Sequence, residues 1–183
     1  MARAESKRRV FLIGFMGAGK TSVGQSLARR LGWNFCDLDR VIEAREQKSV
    51  AEIFAELGEP GFRLVESAAL AELLQAGGPQ SDLVVALGGG TFAQPANREA
   101  LHQAGALTIL LEAPLDELQR RCANDSTVRP LAMQEAGFAE LFRQRQSAYS
   151  LAKQRVETSG NTVEEVAEKV ARILAEAMPE VRK

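Results

Sequence analysis

Arg9-Val10-Phe11-Leu12-Ile13 is a short apolar run that leads into Gly14-Phe15-Met16-Gly17-Ala18-Gly19-Lys20-Thr21, and Val23, Leu27 and Leu31 then recur at helical spacing. A strand, a glycine-rich loop and a helix in that order are the setting in which the pattern G-x-x-x-x-G-K-[ST] has physical meaning. Its glycines let backbone N–H groups close around phosphate oxygens, its lysine reaches the β/γ-phosphates, and its hydroxyl faces Mg²⁺. On this reading Gly17, Ala18, Gly19, Lys20, Thr21 and Ser22 cradle a nucleoside triphosphate, with Thr21 also a metal ligand. A glycine turn with an incidental lysine is the bland alternative, and the flanking strand and helix weigh against it.

Working outward, strand-like runs recur at Val10–Ile13, Asn34–Leu38, Leu83–Leu87, Leu107–Leu111 and Arg155–Thr158, with helical patterns between them. Strands alternating with helices predict an α/β fold with a mostly parallel sheet and helices on both faces. Gly32 is placed to cap the first helix, and Ser49-x-x-Glu52 and Thr162-x-x-Glu165 read as capping boxes. The second box opens an amphipathic helix with Val163, Val166, Ala167, Val170, Ile173, Leu174 and Ala177 on its apolar face. Residues 58–63 read as a turn before a helix running to about Ala76. Residues 122–137 read as an irregular stretch of the length that functional loops have. Pro179 to Lys183 read as a frayed tail.

The 183 residues form one domain, 1–183, because the chain is too short for two comfortable cores. A net charge of −1 speaks against a bulk electrostatic footprint for nucleic acid or an anionic membrane. Arginines outnumber lysines 17 to 6; codon preference explains such an excess as well as phosphate chemistry does, so only individually placed arginines count. Cys36 and Cys122 lie far apart and in no metal-ligand spacing, which predicts reduced thiols in a reducing compartment. Lys7-Arg8-Arg9 before an apolar stretch imitates an export signal, but that stretch runs into Gly19-Lys20-Thr21 with no small-residue cleavage pattern. A cytoplasmic monomer without membrane or nucleic-acid partners is the expectation.

A phosphate loop alone does not choose among GTPases, motor ATPases and small-molecule kinases. The guanine-specificity element Asn-Lys-x-Asp is absent, and the run Leu83–Leu87 ends in Gly88-Gly89-Gly90 rather than in the acidic residue a motor ATPase needs. The carboxylates sit instead in Phe35-Cys36-Asp37-Leu38-Asp39-Arg40. If the strand persists through this stretch, Asp37 and Asp39 point to one side, at the strand end where ligands bind in open α/β sheets. One carboxylate would help hold hydrated Mg²⁺ and the other would orient an acceptor hydroxyl. The alternative is a solvated turn with Asp39 as a helix cap.

Over residues 9 to 175 the chain resembles the shikimate kinase family. The resemblance is carried by the phosphate loop through Gly24, Asp37-Leu38-Asp39, Gly58-Glu59-x-x-Phe62-Arg63-x-x-Glu66, Gly88-Gly89-Gly90, Arg129-Pro130-Leu131, and Arg145 with Tyr149. It implies a three-layer P-loop NTPase fold similar to nucleoside monophosphate kinases. Such a fold has a five-stranded parallel sheet, an acceptor-binding region at about 39–76 and a mobile lid at about 121–137. The implied reaction is transfer of the ATP γ-phosphate to the 3-hydroxyl of shikimate, with ATP and Mg²⁺ as cofactors, in aromatic amino acid biosynthesis.

The resemblance assigns catalysis to Lys20, Asp39 and Arg129, metal binding to Thr21 and Asp37, and nucleotide contacts also to Arg121 and Arg129. It assigns the acceptor to Asp39, Arg63, Gly88, Gly89, Gly90 and Arg145, with Phe54 and Phe62 as ring walls. The chemistry agrees, because a carboxylate on the acceptor calls for forked donors and its hydroxyls call for a carboxylate and free backbone N–H groups. The competing readings are a helix-surface pair for Arg63 and Glu66, a flexible strand exit for the triglycine, core packing for the phenylalanines, and plain surface charges for Arg121 and Arg129. Pro60-Gly61, Ala132 and Ser147-Ala148 depart from the family pattern without removing a polar contact. His102 has no expected role. A gluconate kinase and a non-catalytic ATP-binding module remain the rival functions.

Overall fold

The computed structural model describes residues 8–75, 82–123 and 135–178. Five strands, β1 (Arg9–Ile13), β2 (Asn34–Asp37), β3 (Leu83–Ala86), β4 (Leu107–Glu112) and β5 (Gln154–Glu157), form one sheet in the order β2-β3-β1-β4-β5. All four pairings are parallel. Val10, Phe11, Leu12 and Ile13 are fully buried, because β1 lies at the centre of a sheet covered on both faces and so reads as a continuous apolar run.

The helices are α1 (Lys20–Leu31), α2 (Leu38–Glu46), α3 (Val50–Leu74), α4 (Pro95–Gln103), α5 (Leu115–Ala123), α6 (Glu135–Tyr149) and α7 (Val163–Ala177). The chain leaves β1 toward β2 through α1 and crosses back from β3 to β4 through α4. Right-handed crossovers in opposite directions put α1 and α4 on opposite faces, and α7 packs beside α1. The reversal opens a crevice beyond the carboxyl ends of β1 and β3, where ligands of open α/β sheets bind. The phosphate loop leaves β1 and the triglycine leaves β3, so both enter that crevice.

Local signals act as the sequence reading expects at several ends. Gly32 caps α1 in the left-handed region at φ 66, and both capping boxes form, Ser49 with Glu52 and Thr162 with Glu165. On α7 the residues Val166, Ala167, Val170 and Leu174 are buried, while Ala177 at its end is exposed.

Two expectations are corrected. The strand through Asn34 stops at Asp37, which caps α2 by accepting from the Asp39 N–H at 3.1 Å. Asp37 and Asp39 therefore do not share a strand face, and the cap is Asp37 rather than Asp39. The turn expected over residues 58–63 shrinks to one non-helical residue, Gly58 (φ 65, ψ 179), inside a kinked α3 that ends at Leu74. Pro60 falls in the first turn after the kink, where its missing N–H leaves no helical bond unmade. The expected irregular stretch falls largely on residues 124–134, outside the described residues, and so do Arg129, the Arg129-Pro130-Leu131 element and the tail after Met178.

Candidate active site

The loop between β1 and α1 turns on glycines with positive φ, Gly17 at 78 and Gly19 at 85, values that a side chain would strain. Lys20 opens α1, is 8% exposed, and donates through Nζ to the carbonyls of Gly14 at 2.9 Å and Phe15 at 3.0 Å. The first turn of α1 carries no acidic residue. A helix N-terminus, a buried ammonium and an open glycine loop together form a site for a polyanion.

Beside this cradle the Thr21 hydroxyl donates to Asp37 Oδ2 at 2.8 Å, which ties the start of α1 to the end of β2. Gly17, Lys20, Thr21, Asp37, Asp39 and Gly89 line one cavity of about 190 Å³, and Arg121 closes part of its wall. The two aspartates do converge, through the Asp37 cap and the first turn of α2 rather than along a strand. A cavity of about 730 Å³ between α4, β4 and the end of α7 is larger but holds no phosphate-loop or carboxylate residue of this set; volume is a poorer guide here than donor chemistry.

The triglycine is a held turn, not a loose exit. Thr91 N–H donates to the Gly88 carbonyl at 3.1 Å and Ala93 N–H to that of Gly90 at 3.0 Å. Four carboxylate or arginine side chains crowd it. A Cβ at Gly88 would lie 2.8 Å from Asp39 Oδ1 and 2.9 Å from Glu66 Oε1. One at Gly89 would lie 3.0 Å from Arg145 Nη1, and one at Gly90 would lie 2.5 Å from Arg63 Nη1 and Nη2. Asp39, Arg63 and Arg145 thus meet at one turn, and a side chain on any of the three glycines would press against the ends of these groups.

The two arginines differ in electrostatics. Arg63 donates to Glu66 Oε2 and Glu59 Oε1, both at 2.9 Å. Burial works against its charge, but Glu66 and Glu59 more than offset this and hold its pKa above the ordinary value. Glu66 is only 1% exposed, so the pair is not a helix-surface pair. Arg145 is 6% exposed and lies over the Phe15 ring at 5.4 Å. Burial pushes its pKa down; Tyr149 opposes this and nearby Arg63 adds to it. Among the described residues no salt bridge engages Arg145, so a buried guanidinium faces the crevice in need of an anion.

Phe54 and Phe62 stack at 4.3 Å. Phe62 is 3% exposed and supports the Arg63 guanidinium, 5.4 Å above its ring, while the half-buried Phe54 is the outer member. Arg121 donates to the carbonyl of Gly17 at 3.3 Å and to Thr158 Oγ1 at 2.9 Å, and pairs with Glu117. It joins α5 to the phosphate loop and the β5–α7 turn, and is more than a surface charge. His102 is exposed on α4, away from these groups.

Three residues that organise the site were not assigned to it by sequence reasoning: Glu66 and Tyr149 entered only as carriers of the resemblance, Glu66 also as a helix-surface partner of Arg63, and Thr91 was not singled out. Glu66 accepts from Arg63, from Thr91 Oγ1 at 2.6 Å and from Gln94 Nε2 at 3.3 Å. Its signal was present: Phe62, Glu66, Ala69 and Leu70 share the buried face of α3, and a carboxylate on an apolar stripe needs partners.

A phosphate loop facing a carboxylate and two arginines, one buried and one half-buried, on a parallel sheet of this order, defines a P-loop kinase of a small acidic alcohol. The shikimate kinase family model matches residues 16–175. A shikimate kinase from Synechococcus sp. (strain CC9605) is 41% identical over 92% of this chain and 83% of its own length. The structure of shikimate kinase from Acinetobacter baumannii in complex with shikimate superposes with a TM-score of 0.85 at 33% identity, covering 95% of this chain and 96% of that one. A gluconokinase from Sinorhizobium meliloti 1021 shares the fold, with a TM-score of 0.63 at 16% identity over 95% of each chain. The chain belongs to the shikimate kinase family, whose activity is ATP-dependent phosphorylation of shikimate. Among the described residues no helix is long and apolar enough to cross a membrane.

Proposed function

We propose that this chain transfers the γ-phosphoryl group of ATP to the 3-hydroxyl of shikimate by direct in-line attack, using the residues gathered in the crevice. The observation that carries the reading is the meeting of Asp39, Arg63 and Arg145 at the triglycine, next to the cavity that Lys20 and Thr21 line. Lys20 and the loop amides hold the triphosphate, and Arg63 and Arg145 take the acceptor carboxylate. Asp39 orients the hydroxyl and receives its proton late, since a loose transition state asks for little early proton transfer. Phe54 walls the ring, with Phe62 behind it. Arg129 and the lid at about 121–137 complete the proposal by bringing positive charge to the transferring group after water is excluded, and Arg121 flanks the nucleotide.

The donor set fits Mg²⁺. Thr21 and Asp37 offer a hydroxyl and a carboxylate already in contact, and the described residues hold no cluster of three or more His, Cys, Asp or Glu that would favour a softer or all-protein site. Bound there, the ion would neutralise charge on the β- and γ-phosphate oxygens. A cytoplasmic monomer acting in aromatic amino acid biosynthesis completes the reading.

A coupled ADP-release assay with ATP, Mg²⁺ and either shikimate or gluconate tests the function: turnover with shikimate alone supports it. Turnover with gluconate moves the assignment to the rival kinase, and nucleotide binding without turnover makes the chain a binding module. Arg63→Lys should raise the shikimate KM at least about tenfold, roughly 1.4 kcal/mol, because a point charge cannot reproduce a two-pronged contact. A change under about twofold would remove Arg63 from the acceptor site. With isotope-chiral ATP the product should show inversion at phosphorus; retention would require a phosphoenzyme and exclude the one-step route.

A further inference from the structure

Tyr149 closes α6 and is 3% exposed. Its hydroxyl donates to the Gly89 carbonyl at 2.5 Å, sixty residues away in sequence. A phenol that spends its proton on a carbonyl keeps its lone pairs for a donor, and the Arg145 guanidinium is within interaction range of that oxygen. Arg145 Nη1 itself lies 3.0 Å from where a Cβ on Gly89 would stand. Guanidinium, phenol and glycine carbonyl therefore meet in one buried cluster, with Phe15 of the phosphate loop under the arginine.

Fixing the Gly89 carbonyl fixes the whole Gly89–Gly90 peptide plane, because the bond is trans and planar. The Gly90 N–H must then point away from Tyr149, and the Gly89 and Gly90 N–H groups have no hydrogen-bond partner among the described residues. We propose that Tyr149 is a positioning residue that makes the site specific for a carboxylate-bearing acceptor, by holding Arg145 in one fixed arrangement against the Gly89–Gly90 peptide. The inference rests on the acceptor assignment above. A residue present only to fill the core would need the ring and not the hydroxyl, and the hydroxyl is where the contacts converge. Burial pushes the phenol up to about 12 against the opposing pull of Arg145, so it remains a donor throughout the assay range.

The chain has one tyrosine, so biosynthetic 3-fluorotyrosine places a single ¹⁹F probe at this position without a mutation. Shikimate should shift that resonance, and an analogue with its carboxylate replaced by hydroxymethyl should leave it in place at equal saturation. Tyr149→Phe should raise the shikimate KM about tenfold, the loss of one hydrogen bond to a charged group. The KM for ATP and kcat should stay within about twofold, and kcat/KM for the hydroxymethyl analogue should match that of the wild type. Equal losses for shikimate and the analogue, an ATP KM that rises in parallel, or a shikimate KM that does not move would each overturn the inference. So would a ¹⁹F shift with the analogue as large as with shikimate, a readout that stands even if the variant does not fold. A wild type that turns over shikimate beside an unaltered Tyr149→Phe removes this inference alone, whereas a wild type that leaves shikimate untouched removes the acceptor assignment with it.

Discussion

Asp39→Asn is expected to lower kcat by about 10³-fold while leaving the ATP KM within about twofold, as for loss of a positioned general base. The substitution keeps the shape of the side chain and the backbone N–H that Asp37 Oδ1 accepts, so α2 should start as before. What disappears is the negative charge in the cavity shared with Lys20 and Thr21. The triphosphate contacts are made by other groups, which is why nucleotide affinity should not follow kcat. Stopped-flow and steady-state kinetics with both substrates varied would check this. A fall in kcat of less than tenfold would mean that Asp39 only lines the pocket. A pH profile separates its two roles: a base gives an acid limb in kcat that the variant lacks, and a pure positioner gives the same profile at a lower plateau.

Glu66→Ala should destabilise the fold by about 3 kcal/mol, because removing one partner leaves a largely buried guanidinium without its main counter-charge. For a domain of this size that is a fall in Tm of about 6–12 °C. Three donors lose their acceptor at once, Arg63, Thr91 and Gln94, and the exposed Glu59 can hold only one side of the Arg63 fork. The shikimate KM should rise with the loss of stability, since Arg63 would no longer be aimed at Gly90. Glu66→Gln distinguishes charge from shape: it retains an oxygen for Thr91 but not the charge opposite Arg63, and should lie between wild type and alanine in both Tm and KM. Thermal melts and acceptor kinetics that leave Glu66→Ala indistinguishable from wild type would contradict the buried network.

The phosphate loop was legible because its chemistry is local. Gly14, Gly17, Gly19, Lys20 and Thr21 act through backbone conformation and neighbours within one turn of helix, and a single strand–loop–helix unit carries the whole device. The capping boxes and the Gly32 terminus were legible for the same reason. Asp37 and Asp39 were read as a functional pair from their spacing, but through the wrong geometry. Period-two alternation presumed a strand, and the Asp37 side chain ends that strand by capping α2. The α3 kink was read too broadly, because Gly-Glu-Pro-Gly carries strong turn signals while packing keeps all but Gly58 helical.

Glu66 and Tyr149 illustrate what stayed hidden. Both belong to the elements that carry the resemblance, but the partners of neither can be read from its sequence neighbours. Each gains its role from a partner in another segment, Thr91 on the turn after the triglycine for one and the Gly89 carbonyl for the other. The amino-acid order by itself determined the alternating α/β plan, the phosphate cradle and the family resemblance, since these depend on periodicity and on contacts a few residues apart. Only the tertiary structure decided that Asp39, Arg63 and Arg145 meet at Gly88-Gly89-Gly90 and that Glu66 is buried beneath them. The physical reason is that burial and long-range hydrogen bonds depend on which strands become neighbours, and the β2-β3-β1-β4-β5 order exists only once the crossovers have folded.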